Sequence, residues 1–378
     1  MRSHFRYEHR RILTAALAVS LTIPLFSANG ALAATTLEEA DPAVPPGTFK
    51  EINLGTDRTE NNFFYRIPAL AHLGDGVVLA AWDGRPGNAS DAPNPNSIVQ
   101  RKSTDNGATW GPVTTVVAGF TGSPEQGKHG YSDPSYVVDD ESGKTFAFFV
   151  YSKDRGFVGS IWGHDDANRQ VLSAAVVEST DDRATWSKPR LITDVVKPGD
   201  SAVPGTVRST FATSGQGIQI TRGQYAGRLV QQYAGDVMQA DGTRAIQAFS
   251  MYSDDHGATW KHGEFTGQAM DENKVVELSD GRLMLNSRDN AGGGYRKVAI
   301  SNDGGHSYSE VTQDKNLPDP TNNAHITQMF PDAQAKKLLY TGANSQTSRS
   351  NVSARVSCDD GKRGQVCAPF VVVSPGTR

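Results

Sequence analysis

The sequence predicts an all-β chain assembled from repeated small antiparallel sheets, a β-propeller, and three observations carry that prediction. Helical periodicity is hard to find, and short apolar runs at 76–82, 145–151 and 281–287 stand between turn residues instead. The 38 glycines and 19 prolines supply the punctuation that many hairpins need. One short pattern, S-x-D-x-G-x-T-W, also returns along the chain.

The pattern opens as Ser103-Thr104-Asp105-Asn106-Gly107-Ala108-Thr109-Trp110. It recurs as Ser179-Thr180-Asp181-Asp182-Arg183-Ala184-Thr185-Trp186, as Ser253-Asp254-Asp255-His256-Gly257-Ala258-Thr259-Trp260, and more loosely from Ser301 to Tyr308. A fifth start, Ser357-Cys358-Asp359-Asp360-Gly361, runs into Lys362-Arg363-Gly364 where Thr-Trp is due. Each element fits a tight hairpin: Asp bonds turn backbone, Gly takes positive φ, and Trp packs beneath. The copies begin 76, 74, 48 and 56 residues apart, about one four-stranded sheet or one sheet with a long loop.

In chain order, residues 1–33 read as a cleaved signal peptide. Arg10 and Arg11 lead into an apolar run from Ile12 toward Phe26, and Ala31-Leu32-Ala33 closes it as an A-x-A-like cleavage site. Pro24, Ser20 and Thr22 make the run a poor membrane span, so the expected destination is secretion. Residues 34–47 form a lead-in, 48–361 the propeller domain, and 362–378 an atypical tail. The first 33 residues carry four Arg and one Glu, so the whole-chain charge of −4 becomes −7 for the remainder. That acidity argues against nucleic acid or anionic membrane as partner and requires any anionic substrate to meet a local Arg cluster. Cys358 and Cys367 are able to pair in an oxidising compartment but are too few for a disulfide framework. No metal-ligand cluster is legible and no cofactor is expected.

The remaining motifs are ordered around the repeats. Phe63-Phe64-Tyr65-Arg66-Ile67-Pro68 precedes the first copy, followed by Trp82-Asp83-Gly84-Arg85-Pro86, Ser90-Asp91-Ala92-Pro93 and Ile98-Val99-Gln100-Arg101-Lys102-Ser103. Later come Met270-Asp271-Glu272-Asn273-Lys274-Val275-Val276-Glu277-Leu278, Leu285-Asn286-Ser287-Arg288 and Gln346-Thr347-Ser348-Arg349-Ser350-Asn351. This ordered set, interleaved with what is then the Asp box, resembles the bacterial exo-sialidase family across roughly residues 50–361. The resemblance implies a six-bladed β-propeller acting on sialic acid-containing glycoconjugates.

Sialic acid carries a carboxylate on its anomeric carbon, and the planar fork of Arg suits a fixed carboxylate. By resemblance Arg66, Arg288 and Arg349 form the triad that holds it, each from a different blade. Asp91 is the acid/base candidate, and Arg85 and Asp133 (in Tyr131-Ser132-Asp133-Pro134) are candidates for binding a sugar hydroxyl. The family's nucleophile is a Tyr, because a carboxylate would meet like-charge repulsion at this carbon. Its high pKa needs a neighbouring base, for which Glu272 is preferred to Glu277 in its strand-like Val-Val-Glu-Leu context.

The tail departs from the family. No Tyr follows Arg349, the last being Tyr340, and the fifth box breaks off at Lys362. These features are read as a truncated chain with an incomplete last blade, an open sheet edge and a weakened retaining mechanism. Two further readings stand beside hydrolysis: a non-catalytic sialic-acid binder, and transfer of sialic acid by the same residues. A pure interaction scaffold needs neither Y-R-I-P nor the spaced arginines.

Overall fold

The computed structural model describes residues 52–181, 185–329 and 336–361, and the backbone of 366–370. The expected signal peptide, the lead-in and the end of the tail lie outside these residues, as does part of the second Asp box. Five small sheets account for nearly all regular structure.

The first sheet is β1 (Phe63–His72), β2 (Val78–Pro86), β3 (Ser97–Ser103) and β4 (Thr114–Val117), paired antiparallel in chain order. The second follows the same plan with β5 (Gly130–Val138), β6 (Thr145–Ser152), β7 (Ser173–Ser179) and β8 (Arg190–Leu191). Three short strands come next: β9 (Val207–Ala212), β10 (Gly215–Gln216) and β11 (Ile218–Gln219). β10 adds in parallel to β5. The third sheet is β12 (Leu229–Met238), β13 (Arg244–Ser253) and β14 (Lys261–His262), with β9 and β11 sharing the free side of β12. The fourth is β15 (Met270–Glu277), β16 (Leu283–Asp289), β17 (Tyr295–Ser301) and β18 (Thr312–Pro318). The fifth is β19 (His325–Gln328), β20 (Leu338–Ala343), β21 (Val352–Ser357) and β22 (Val366–Phe370).

All-β propeller architecture is thus as expected, but the number of blades is five among the described residues, not six. The long intervals between the first three Asp boxes hold the 153–172 loop and the divided strand β9/β11, not a further sheet. The last sheet, expected to be incomplete, has four strands because Val366–Phe370 pairs with β21. On its other face the first sheet carries Ala80, Trp82 and Val99, over which Leu54, Phe63, Tyr65 and Trp110 pack.

The hydrophobic cores lie between successive sheets, as strands buried on both faces require. Leu79, Ala81 and Ile98 meet Tyr136, Ala147 and Phe149 between the first and second. Phe146 and Phe148 meet Tyr233, Phe249 and Trp260 between the second and third. Val276 and Met284 meet Ile326, Leu338 and Tyr340 between the fourth and fifth. A fully buried Phe or Leu contributes about 1.5–3 kcal/mol, so the stack of sheets, not any one of them, is the stable unit.

Each Asp box is the turn from third to fourth strand. In the first, Ser103 Oγ donates to Asp105 Oδ1 (2.7 Å), and Asp105 accepts from Thr109 N (2.8 Å) and Thr109 Oγ1 (2.6 Å). Gly107 sits at φ +82°, and Trp110 Nε1 donates to its carbonyl at 3.0 Å. The Thr109 hydroxyl, first among these donors, holds the Asp105 pKa down to about 2. In the fourth box Ser307 replaces Thr and its hydroxyl still reaches Asp303 at 2.6 Å. Cys358, in the fifth box, is disulfide-bonded.

Candidate functional site

Three inner strands begin with the same irregularity. The β1–β2 register slips between Arg66 and Ala69, with Ile67 at φ +59°. The β5–β6 register slips between Ser132 and Ser135, with Asp133 at φ +62°. The β15–β16 register slips between Met270 and Asn273, just after Ala269 at φ +51°. A bulge re-aims side chains, and non-Gly residues with positive φ are uncommon and cluster where function holds them. The second strand of each antiparallel pair returns to this end. It carries Arg85 and the Asp91 loop after β2, Arg288 at the end of β16, and Arg349 between β20 and β21. The Asp boxes lie at the opposite end.

Arg85 is 1% exposed. Its Nε and Nη2 donate to Asp83 Oδ2 (3.1 and 2.8 Å), and Nη1 donates to Asp91 Oδ1 (2.6 Å) and the Ala89 carbonyl (2.7 Å). Four of its five N–H donors are therefore engaged within the protein. Asp91 remains 76% exposed, open to a ligand while held by one oxygen. A Cβ on Gly156 would come within 2.0 Å of the Ala92 carbonyl oxygen, so the backbone of the 153–172 loop presses on the Asp91 loop. That close approach requires Gly.

Asp83 is fully buried, and its Oδ1 accepts the Asp133 backbone N–H at 3.0 Å. Burial pushes its carboxyl up against the opposing pull of Arg85. Burial likewise raises Asp133 well above the carboxylate range, and Asp83 and Glu272 add to the rise.

On the fourth sheet Arg288 Nη1 donates to Glu272 Oε2 at 2.8 Å, its Nη2 donates to Asn290 Oδ1 at 3.3 Å, and Asp271 lies 3.8 Å from its Nε. Arg349 is exposed, and its Nη2 donates to the Thr321 carbonyl at 2.9 Å. Thr321 Oγ1 in turn donates to the carbonyl of Asp289, next to Arg288. Arg66 is exposed and, among the described residues, its guanidinium has no hydrogen-bond or ion-pair partner; its backbone pairs in register with Asp83.

The geometry thus joins Arg85, Asp91 and Asp133 through Asp83, and joins Glu272, Arg288 and Arg349 through the fourth and fifth sheets. Asp133 and Glu272 feel each other's charge and link the two groups. Glu277 faces elsewhere, accepting from Thr221 and Arg222 backbone at the other end of β15. Sequence reasoning missed Asp83 and Asp271, although both stand inside motifs it singled out. It also missed Lys274, inside the same motif as Asp271, and Arg296 and Asp319, for which the sequence carries no local signal. Among the described residues no group of acidic, His or Cys side chains is arranged to hold a metal.

The model of the BNR repeat-like domain matches residues 76–365. A sialidase of Micromonospora viridifaciens is 53% identical over 355 residues, covering 90% of this chain and 53% of that protein. A sialidase of Bacteroides fragilis is 30% identical over 309 residues, covering 80% and 54%. The chain therefore spans about half the length of these curated relatives. Among solved structures, Hadza microbial sialidase Hz136 is similar with a TM-score of 0.69 at 26% identity, over 79% of this chain and 57% of that one. An intramolecular trans-sialidase from Ruminococcus gnavus has the same TM-score at 21% identity, over 82% and 85%, and bears on the fold alone.

Proposed function

The chain belongs to the family of the BNR repeat-like domain, and from that premise we propose that it is an exo-α-sialidase, hydrolysing terminal α-linked sialic acids from glycoproteins, glycolipids and oligosaccharides. The observation that supports the reading is that Arg66, Arg288 and Arg349, on three different sheets, stand at the same strand ends as Asp91 and Glu272.

In this reading the three guanidiniums hold the substrate carboxylate, which fixes the anomeric carbon beside them. Asp91, exposed and steadied by Arg85, protonates the leaving oxygen and later helps to activate water. Asp133 hydrogen-bonds a polar group on the sugar, and Arg85 fixes the Asp91 loop beside it. Glu272 is the base for the attacking group, a Tyr in the family the sequence resembles; this sequence has no Tyr after Arg349 to fill that place. Residues 1–33 direct export and are removed, so the enzyme works outside the cytoplasm. No helix among the described residues is long and apolar enough to cross a membrane.

The test is release of fluorophore from an aryl α-sialoside by residues 34–378, with Asp91→Ala and Arg288→Ala beside it. Activity that both substitutions abolish supports the assignment. Saturable binding of a 2,3-unsaturated sialic acid analogue without turnover reduces it to a sialic-acid binder. Neither turnover nor binding overturns it.

A further inference from the structure

We infer that Arg296 is a positioning residue that holds Glu272, Arg288 and Arg349 in one register from beneath; the inference rests on the functional reading above. Arg296 lies on β17 and is 0% exposed. It therefore touches no substrate and acts only through its neighbours. A guanidinium taken wholly out of water is costly unless each part of its fork is met.

Every partner of that fork belongs to a segment that bears a site residue or bonds one. Nη2 donates to the Glu272 carbonyl at 3.4 Å and to the Asn286 carbonyl at 3.3 Å. Nε donates to Asn286 Oδ1 at 2.8 Å, two residues before Arg288 on β16. Nη1 donates to the Asn322 carbonyl at 2.9 Å, and Asp319 Oδ2 lies 3.4 Å away. Asn322 follows Thr321, whose carbonyl receives Arg349.

Asp319, 1% exposed, completes the linkage. Its Oδ2 also accepts the backbone N–H of Asp289 at 3.0 Å, and its Oδ1 accepts that of Asn322 at 3.0 Å. Thr321, held at φ +62°, donates its hydroxyl to the Asp289 carbonyl at 3.2 Å. One buried cation and one buried carboxylate therefore tie together β15, the end of β16 and the loop before β19. Those three segments carry or hold the base and two of the three carboxylate-binding arginines. A Lys carries its three donors on one nitrogen, and without the planar fork it cannot reach Glu272, Asn286 and Asn322 from three separate nitrogens as Arg296 does.

The experiment measures Kd for the 2,3-unsaturated sialic acid analogue and kcat and KM for an aryl α-sialoside, well below each variant's Tm. Arg296→Met, Arg296→Lys and Asp319→Asn are each compared with wild type and within an Arg349→Ala background. Misplacement of the arginines should weaken binding about 10- to 100-fold in Arg296→Met, with Arg296→Lys failing to rescue it. In the Arg349→Ala background the same change should cost less, because one group it positions is gone. If Arg296→Met does not fold, Asp319→Asn carries the same comparison, since it keeps the cation and an acceptor oxygen. A lowered Tm with binding and turnover within twofold of wild type would overturn the inference. So would fully additive losses with Arg349→Ala. Wild type that neither binds nor cleaves overturns the functional reading itself, and the inference with it.

Discussion

Replacing Lys274 by Met should stabilise the protein at pH 6 and do so much less at pH 9.5. Lys274 is 2% exposed, and its ammonium donates only to the Asn273 carbonyl (3.3 Å) and Asn323 Oδ1 (3.0 Å) among the described residues. Burial pushes its pKa from 10.5 down to about 7; Glu272 and Asp271 draw it back up, and Arg296 adds to the fall. His325, close by, is pushed to about 4 by burial and then by Lys274, so it stays neutral across the range tested. The unfolded chain keeps the Lys proton to about pH 10.4, whereas the folded chain loses it near 7. Between those values the unfolded state binds more protons, so wild-type stability rises with pH. The contribution is fully present above the unfolded pKa and is lost as pH falls through 7. A fall from 10.5 to about 7 corresponds to roughly 5 kcal/mol. Loss of two hydrogen bonds at about 1 kcal/mol each leaves a net gain of about 2–4 kcal/mol at pH 6. Urea unfolding followed by tryptophan fluorescence at pH 6, 7.5 and 9.5 measures it. A variant weaker than wild type at pH 6, or a difference independent of pH, would refute the reasoning.

Asp133→Asn should keep the Kd for the unsaturated analogue within about threefold, because it keeps a side chain of the same shape with hydrogen-bonding groups, whereas Asp133→Ala should lose roughly 10-fold; titration calorimetry separates them. Arg288→Lys should weaken the same ligand about 10-fold or more despite keeping the charge, since the fork is lost. Gly107→Ala should lower stability by about 1–2 kcal/mol through its φ of +82° alone, its Cβ meeting Trp110 at an ordinary 3.6 Å. Gly257→Ala should cost visibly more in the same calorimeter, because its Cβ would also fall 2.2 Å from Phe146 Cζ.

The Asp boxes were legible because their chemistry is local: Ser, Asp, Gly and Thr bond one another within eight residues. Arg66, Asp91, Glu272 and Arg288 were legible as positions within motifs, and the structure sets them at bulges, strand ends and the loop after β2. The number of blades was not legible. Box spacing cannot distinguish another sheet from the 153–172 loop or from an inner strand divided into β9 and β11. Nor was the support beneath the site. Arg296 and Arg282 both stand beside short apolar strand segments, yet one is fully buried and the other half-buried beside Asp280. Which of them faces inward depends on how β17 packs between neighbouring sheets, a long-range fact. Asp83 is similar: its role depends on lying across from Arg66 and reaching the Asp133 backbone 50 residues away.

The placement of the Asp boxes has a practical consequence for orienting the molecule. Their exposed tips, Ala108 and Ala258 among them, point away from the end that carries Arg66, Asp91 and Arg288. Chemical attachment at those two alanines, through a Cys introduced at either, would seat the protein on a bead or electrode with its cleft outward. The turn itself would hold such an anchor stiffly, since Asp105 and Asp255 each bind their own loop through Thr. Tethering through the 153–172 loop would do the reverse, because that loop leans on the backbone around Asp91 and would bring the support against the cleft.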